Sequence, residues 1–220
     1  MREIIRNKEY RLYVLDGHGT CCSMTIPQNI VLERDARLNM VLLVLPGVSC
    51  DIKLDVRLSG EGSEANIYGA YVCGGEERVR IAVDMHHDLP NCNSRQLFKG
   101  IAGGTSKVDF YGKIIVAKDA QRTEAYQENH NILLTDGAKV DTKPQLEIYA
   151  DDVKCSHGAT IGRLNEEEQF YMRSRGISLE DAKVLQMISF IAPVLENIED
   201  EAERERVTAQ FESAIRNLVR

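Results

Sequence analysis

The sequence places a thiol and an imidazole close together in the segment Val153-Lys154-Cys155-Ser156-His157-Gly158. Alternate side chains of a β-strand share a face, so Cys155 and His157 would point to one side. A thiolate and an imidazole are ligands that iron or zinc accepts, and a nearby imidazolium would lower the thiol pKa. Two ligands do not complete a tetrahedral site, however, and Val153 shares the face. A buried cysteine beside a hydrogen-bonded histidine is the commoner arrangement, and the spacing leaves both interpretations open.

Other candidate pairs are weaker. Two adjacent histidines, His86 and His87, would point to opposite faces of a strand, so the preferred interpretation is a strand end with a capping Asp88. The neighbouring thiols of Cys21-Cys22 diverge in the same way and favour a strand or turn role. The carboxylates of Asp151-Asp152 could serve a glycoside-cleaving β-helix, but adjacent acids are usually solvent-facing.

The sequence contains no nucleophile elbow, Walker loop, zinc-protease motif or dinucleotide fingerprint, so we predict that the chain is not an enzyme. The net charge of −7 argues against nucleic acid as a partner. The longest apolar stretch (40–45) is too short to span a bilayer, and the charged first residues do not resemble a signal peptide. We therefore expect a cytoplasmic protein without a membrane partner, whose six cysteines are mostly free thiols.

The chain has two halves with different hydrophobic periodicity, and these must position the candidate residues. From about residue 12 to 160, apolar and polar residues alternate repeatedly, which predicts many short strands. Turn signals separate the runs at 59–62, 74–75, 89–91, 103–104 and 135–137. The pattern alone is compatible with a sandwich, a barrel or a solenoid. Runs that begin near Ile52, Val79 and Val108 are roughly 30 residues apart, which would suit the coils of a β-helix.

After Gly162 the periodicity becomes helical. Asn165 with Glu168 predicts the start of one helix, and Gly176 predicts its end. Ser178 with Asp181 predicts the start of a second, with Pro193 interrupting or kinking its pattern. The predicted buried stripe of the second helix is Ala182, Leu185, Ile188, Ile191 and Leu195, and that of a third is Val207, Phe211, Ala214, Ile215 and Leu218. We expect these helices to pack on the β-half, on a partner, or on both.

Several stretches, in one order along the chain, give the sequence a resemblance to a known family. They are HDLP (87–90), SRQLFKG (94–100), GKI (112–114), DAQRTEAYQ (119–127), PQLEI (144–148), ADDVKCSHGAT (150–160) and QFYMRSRG (169–176). About half of the chain thereby resembles the SufB/SufD scaffold family of the SUF iron–sulfur cluster assembly machinery, and SufD-like members in particular. Residues 1–80 match weakly.

The resemblance implies a mainly β fold with C-terminal helices: a right-handed parallel β-helix (1–162) followed by a small α-helical region (163–220). It implies pairing with a SufB-like scaffold subunit or with a second copy, and docking of a SufC-like ABC-type ATPase on the helical region. Candidate docking residues are Phe170, Tyr171, Arg173 and Arg175. Cys155 and His157 then become candidate ligands, near the scaffold interface, of iron or a transient Fe–S cluster, with no permanent cofactor.

Two departures from the family matter. SufB-like members carry a cysteine in the strand corresponding to residues 127–131, where this sequence has QENHN and no thiol. Familiar SufD-like proteins also have an N-terminal helical region, so the resemblance is to a short form. Two alternatives remain: a structural subunit of the same complex without cluster ligands, and a β-helix carbohydrate-active enzyme. Without tryptophan and with 6% aromatic residues, the chain offers few stacking platforms for sugars.

Overall fold

The computed structural model describes residues 2–16 and 26–219, so the Cys21-Cys22 pair lies outside the described residues. Within them the chain forms twelve strands and three helices. The strands are β1 (Arg2–Ile5), β2 (Lys8–Leu15), β3 (Asn29–Leu32), β4 (Arg37–Val44), β5 (Cys50–Leu58), β6 (Glu64–Cys73), β7 (Arg78–His87), β8 (Asn93–Ala102), β9 (Lys107–Val116), β10 (Thr123–Leu133), β11 (Lys139–Ile148) and β12 (Val153–Gly162). The helices are α1 (Glu166–Ser174), α2 (Leu179–Leu195) and α3 (Glu201–Val219).

The strands form two parallel sheets that the chain visits alternately. The A sheet has the order β1-β3-β5-β7-β9-β11, and the B sheet has the order β12-β10-β8-β6-β4-β2. Val79 lies beside Cys50, and Val108 lies beside Val79, which confirms the predicted coil spacing. Each coil adds one strand to each sheet, as in a solenoid. The predicted parallel β-helix with C-terminal helices is confirmed, and all five turn signals lie between strands.

The core lies between the two sheets and follows the two-residue alternation. Along β5, for example, Ile52, Leu54 and Val56 are buried, whereas the residues between them are more exposed. Glycines in strand interiors make room for large neighbours from the next coil. A Cβ at Gly100 would lie 1.9 Å from the Tyr71 ring, so only glycine fits there.

A carboxylate ties together two of the turns. Glu77 accepts backbone N–H bonds from Gly47 (2.8 Å), Gly75 (2.6 Å) and Gly74 (3.2 Å). Although burial disfavours its charge, these donors hold the pKa of the Glu77 carboxyl below its ordinary value. Gly74 also receives α3, since a Cβ there would lie 1.9 Å from the Leu218 side chain.

The helix boundaries follow the predicted caps. Asn165 accepts the N–H bonds of Glu167 and Glu168 at the start of α1, and Gly176 follows that helix with φ +89°. Ser178 accepts the N–H of Asp181 at 3.0 Å and so caps α2. The chain therefore encodes these boundaries locally.

Helices α2 and α3 pack on the outer face of the B sheet, as one of the predicted arrangements requires. The apolar cluster that joins them contains Val41, Leu43, Ala70, Val72 and Ile101 of the sheet with Met187, Ile191, Phe211 and Ile215 of the helices. The predicted stripe of α3 is confirmed: Val207, Phe211 and Ile215 are buried, and Ala214 and Leu218 pack against the cluster.

The predicted stripe of α2 is wrong in part. Leu185 is 47% exposed, whereas Val184, Met187 and Val194 are buried. Apolar residues surround most of this helix, so its periodicity does not select one face, and the sheet selects it instead. The helix is also not interrupted at Pro193, which lies within its last turn and removes only one backbone donor there.

Strand β12 ends at Gly162 and α1 begins at Glu166, but α2 and α3 share a core with the B sheet. The division into domains at 1–162 and 163–220 therefore stays a prediction. In the described part of the chain, no helix combines the length and apolar character that crossing a bilayer requires.

Candidate functional site

Cys155 and His157 lie on β12, the last strand of the B sheet. This strand pairs with β10 on one side, and among the described strands it has no neighbour on the other. We call β11, β12 and the turn between them the terminal coil. Strand β11 belongs to the A sheet, and β12 starts a new strand after the turn. The shared face of Cys155 and His157 comes from β12 itself.

That shared face points toward the inside of the solenoid. Cys155 lies beside Ala125, and His157 lies beside Gln127, both of which are fully buried on β10. On the last strand the same positions are more accessible: Cys155 is half-buried and His157 is exposed. The terminal coil thus leaves the interior side of β12 partly uncovered.

We define the open layer as the inward-facing residues of the terminal coil. Its members are Val140, Thr142, Pro144, Leu146 and Ile148 of β11 with Val153, Cys155, His157, Ala159 and Ile161 of β12. All lie within the described residues, and none is an acid, a lysine or an arginine. An uncharged layer at the end of two sheets is the surface on which another strand pair could stack.

The opposite end of the described solenoid is different. Arg11, beside the buried Met40, points inward and forms ion pairs with Glu3 of β1 and Glu9 of β2. Inward-pointing charges discourage another strand from adding at an edge. The two ends of the described solenoid therefore differ in their suitability for stacking.

The thiol of Cys155 is not activated in this chain. Burial raises its pKa, and a backbone hydrogen bond with Ala125 offsets that effect only partly. The sequence-based suggestion that an imidazolium lowers this pKa stays a prediction. Binding a metal would have to displace the proton from Cys155.

A buried polar column lies directly below the open layer, and the sequence analysis did not predict it. Gln127 donates from Nε2 to Gln96 Oε1 at 3.0 Å. Nearby, the Tyr71 hydroxyl donates to Asn131 Oδ1 at 2.5 Å, and Asn129 Nδ2 donates to the same hydroxyl at 3.3 Å. The signal was present, since both phases of the QENHN stretch are polar, but a core position was not expected for it.

The other sequence candidates keep structural roles. His87 is buried and lies 2.8 Å from Ser94 Oγ, whereas His86 lies on the opposite face, as predicted. Burial lowers the pKa of His87 to about 4. Asp88 accepts hydrogen bonds from Ser59 and Arg57 at the strand end. Among the residues that the structure describes, no group of three His, Cys, Asp or Glu side chains could hold a metal.

The helical candidates form an exposed aromatic surface on α1. Phe170 is 74% exposed and Tyr171 is 59% exposed. The guanidinium of Arg175 lies 5.2 Å from the centre of the Tyr171 ring, and Arg173 is exposed beside them. A cleft of about 680 Å³ lies between α1 and α2, and Tyr171, Met172, Leu185 and Phe190 contribute to its lining.

Comparison with known proteins identifies the family. The family model described as "SUF system FeS cluster assembly, SufBD core domain" matches residues 9–190. The chain belongs to the SufBD core family. The SufBD match begins well before the stretches that carry the resemblance in the sequence. Residues 9–80 therefore belong to the family domain, although their sequence resembles the family only weakly.

Relatives agree with this SufBD assignment. The iron–sulfur cluster assembly protein SufD of Escherichia coli is 39% identical over 183 residues, which are 83% of this chain and 43% of that protein. An iron–sulfur cluster assembly SufBD family protein of Mycobacterium leprae is 32% identical over 190 residues, or 83% of this chain and 48% of that protein. One from Synechocystis is 44% identical over 109 residues, or 50% of this chain and 24% of the relative. The matched part of this chain thus covers less than half the length of each of these relatives.

The SufBD match includes both candidate surfaces. Residues 9–190 contain the terminal coil, α1 and most of α2, whereas α3 lies beyond the match. Both the open layer and the aromatic surface of α1 are therefore parts of the family domain.

Proposed function

We propose that this chain is a non-enzymatic scaffold of the SUF machinery in the cytosol, on which an Fe–S cluster is assembled as cargo. The observation that carries the proposal is the open layer, which combines an uncharged stacking surface with Cys155 and His157. In this proposal the open layer meets a second scaffold protomer, which is either a SufB-like subunit or another copy of this chain. Membership of the SufBD core family supports the assembly role.

The second protomer is needed for the chemistry. An Fe–S cluster is held by four protein ligands, and Cys155 with His157 would supply two of them. The thiolate and imidazole suit iron, and a facing protomer would provide the remaining ligands and exclude water. Burial raises the pKa of Cys155, so the thiol must lose its proton when iron binds. The amount of iron retained should therefore depend on pH.

The helical region in this proposal docks a SufC-like ABC-type ATPase. Exposed aromatic and arginine side chains are enriched in protein interfaces, and the α1 surface presents Phe170, Tyr171, Arg173 and Arg175 next to the cleft. Because α2 packs on β4, β6 and β8, docking on the helical region would act on the same B sheet that ends in β12.

Anaerobic reconstitution tests the cargo-holding role. The chain is co-purified with its ATPase and scaffold partner, supplied with iron and sulfide, and analysed for retained iron and acid-labile sulfide. His157→Ala should lower retention, because it removes one of the two ligands. Ser156→Ala is the matched control, since Ser156 lies between the two ligands in sequence but on the opposite face of β12. Equal retention by the two variants would contradict the ligand assignment.

A structural subunit without cluster ligands is the second candidate. It is favoured by the raised pKa of Cys155 and by the lack of a third candidate ligand in the described part of the chain. This role predicts that the Cys155→Ala/His157→Ala double variant still binds the ATPase and supports normal cluster delivery in cells. Impaired delivery with intact ATPase binding would favour the cargo-holding scaffold instead.

A further inference from the structure

Gln127 presents an unpartnered acceptor inside the solenoid. Its side chain is fully buried, and its Nε2 donates to Gln96 Oε1 at 3.0 Å. Its Oε1 is buried without a hydrogen-bond partner. Buried polar atoms are nearly always paired in folded proteins, so an orphaned carbonyl oxygen calls for a partner that approaches it.

The Gln127 amide reaches across the core to Gly112 of the opposite sheet. A Cβ at Gly112 would lie 2.3–2.5 Å from the Nε2, Cδ and Oε1 atoms of Gln127. The amide group therefore occupies a recess that exists because residue 112 is glycine. Any other side chain at residue 112 would displace the amide. The position of the Gln127 amide in the core therefore depends on Gly112.

The direction of the glutamine pair identifies the partner. Stacked amides on neighbouring strands donate on one side and accept on the other. Gln127 donates toward β8, where Gln96 lies, so its acceptor side faces β12. The residue in register with Gln127 on β12 is His157, which shares its face. Adjacent strands are about 4.8 Å apart, within reach of an imidazole that turns inward.

We propose that Gln127 is a positioning residue that accepts the ring N–H of His157 through its Oε1. The hydrogen bond forms when the His157 ring turns toward the interior, and it fixes which ring nitrogen carries the proton. The other nitrogen then presents its lone pair to a ligand. The tautomer part of this inference stands on the geometry of the chain, whereas its value for holding iron rests on the proposed function.

Nuclear magnetic resonance of the metal-free chain tests the tautomer. The chain is labelled with ¹⁵N-histidine, the His157 ring signals are assigned by comparison with His157→Gln, and two-bond ¹H–¹⁵N spectra are recorded above the titration range. Wild type should show a single neutral tautomer at His157. Gln127→Leu should show exchange-averaged ring nitrogens, and Gln127→Glu, which keeps an acceptor, should restore the single tautomer.

Gln96→Glu is the matched control, because it keeps an oxygen that accepts from Gln127 Nε2 and so keeps the orientation of the Gln127 amide; it should keep the single tautomer. If Gln127→Leu does not give a folded spectrum, Gln127→Asn withdraws the oxygen by one methylene and should average the nitrogens too. Averaged ring nitrogens in wild type, or a single tautomer in a folded variant without the acceptor, would overturn the inference.

Cobalt(II) titration of the complex with the scaffold partner, followed by the thiolate-to-metal absorption band, separates this inference from the proposed function. Loss of the partner that orients a histidine ligand typically lowers metal affinity by about 10–100-fold. Gln127→Leu should show that loss, and Gln96→Glu, which keeps the acceptor for Gln127 Nε2, should bind like wild type. A fixed tautomer at His157 in a scaffold complex that binds no cobalt would refute the ligand role of His157 and leave its positioning intact. Equal cobalt binding by wild type and Gln127→Leu would refute the positioning role in metal binding.

Discussion

Glu77→Gln should destabilise the solenoid at neutral pH and much less in acid. The carboxylate accepts Gly47 and Gly74 N–H through Oε1 and Gly75 N–H through Oε2. Glutamine keeps one oxygen but places an NH₂ group opposite the Gly75 donor. One charge-assisted bond is lost and the others are weakened, and a hydrogen bond to a charged group contributes about 1.5–3 kcal/mol. We expect a loss of about 2 kcal/mol, or a fall in Tm of about 4–8 °C for a domain of this size.

The pH dependence supplies the sharper test. The pKa of Glu77 is lowered in the folded chain, so its stabilisation is present above the ordinary glutamate pKa and is lost as pH falls through the folded value. Urea unfolding at pH 7 should separate wild type from Glu77→Gln, and the difference should shrink progressively below about pH 4. Glu76→Gln, at the exposed neighbouring residue, should match wild type throughout. The account would be refuted if Glu77→Gln lowered the free energy of unfolding by the same amount at pH 7 and below about pH 4.

Three further outcomes follow from the structure. Because burial lowers the pKa of His87 to about 4, the fold should lose on the order of 3 kcal/mol as pH falls from about 6.5 to 4, and His87→Gln should abolish most of that dependence in urea titrations. Gly100→Ala drives a Cβ into the Tyr71 ring and should cost at least about 1–3 kcal/mol in the same assay; unchanged stability would show that the coils can separate there. Phe170→Ala with Tyr171→Ala should leave Tm within about 2 °C of wild type yet weaken binding of the proposed ATPase partner at least tenfold by calorimetry, since both rings are exposed; equal affinity would contradict this docking surface.

The sequence predicts the repeating part of the fold because its determinants are local. Alternation along β5 specifies a half-buried strand, and Asn165 and Ser178 mark helix starts through bonds to residues two or three positions away. Even the coil spacing is visible, since similar runs begin near Ile52 and Val79, and these two runs form neighbouring strands in the structure. Periodicity could not choose among a sandwich, a barrel and a solenoid, because that choice depends on which strands pair.

The features missed are those set by contacts between distant residues. The buried face of α2 depends on how the helix lies on the B sheet, so Leu185 was assigned to the wrong side. The polar column under the open layer depends on Gly112 leaving room for Gln127, a contact between opposite sheets. The thiol pKa of Cys155 depends on burial by the neighbouring coil, which its spacing from His157 does not reveal.

Hydrogen–deuterium exchange tests the central claim, that the open layer is where this chain meets a second scaffold protomer, most directly. Exchange is followed in the free chain and in the complex with its co-expressed scaffold partner. Amides of β12 lack a strand neighbour on one side among the described strands, so pairing should slow their exchange by at least tenfold. The account predicts protection concentrated in β11 and β12, with β2 at the charged opposite end unchanged. Protection at β2 or on the helices alone, with β12 exchanging as in the free chain, would contradict it.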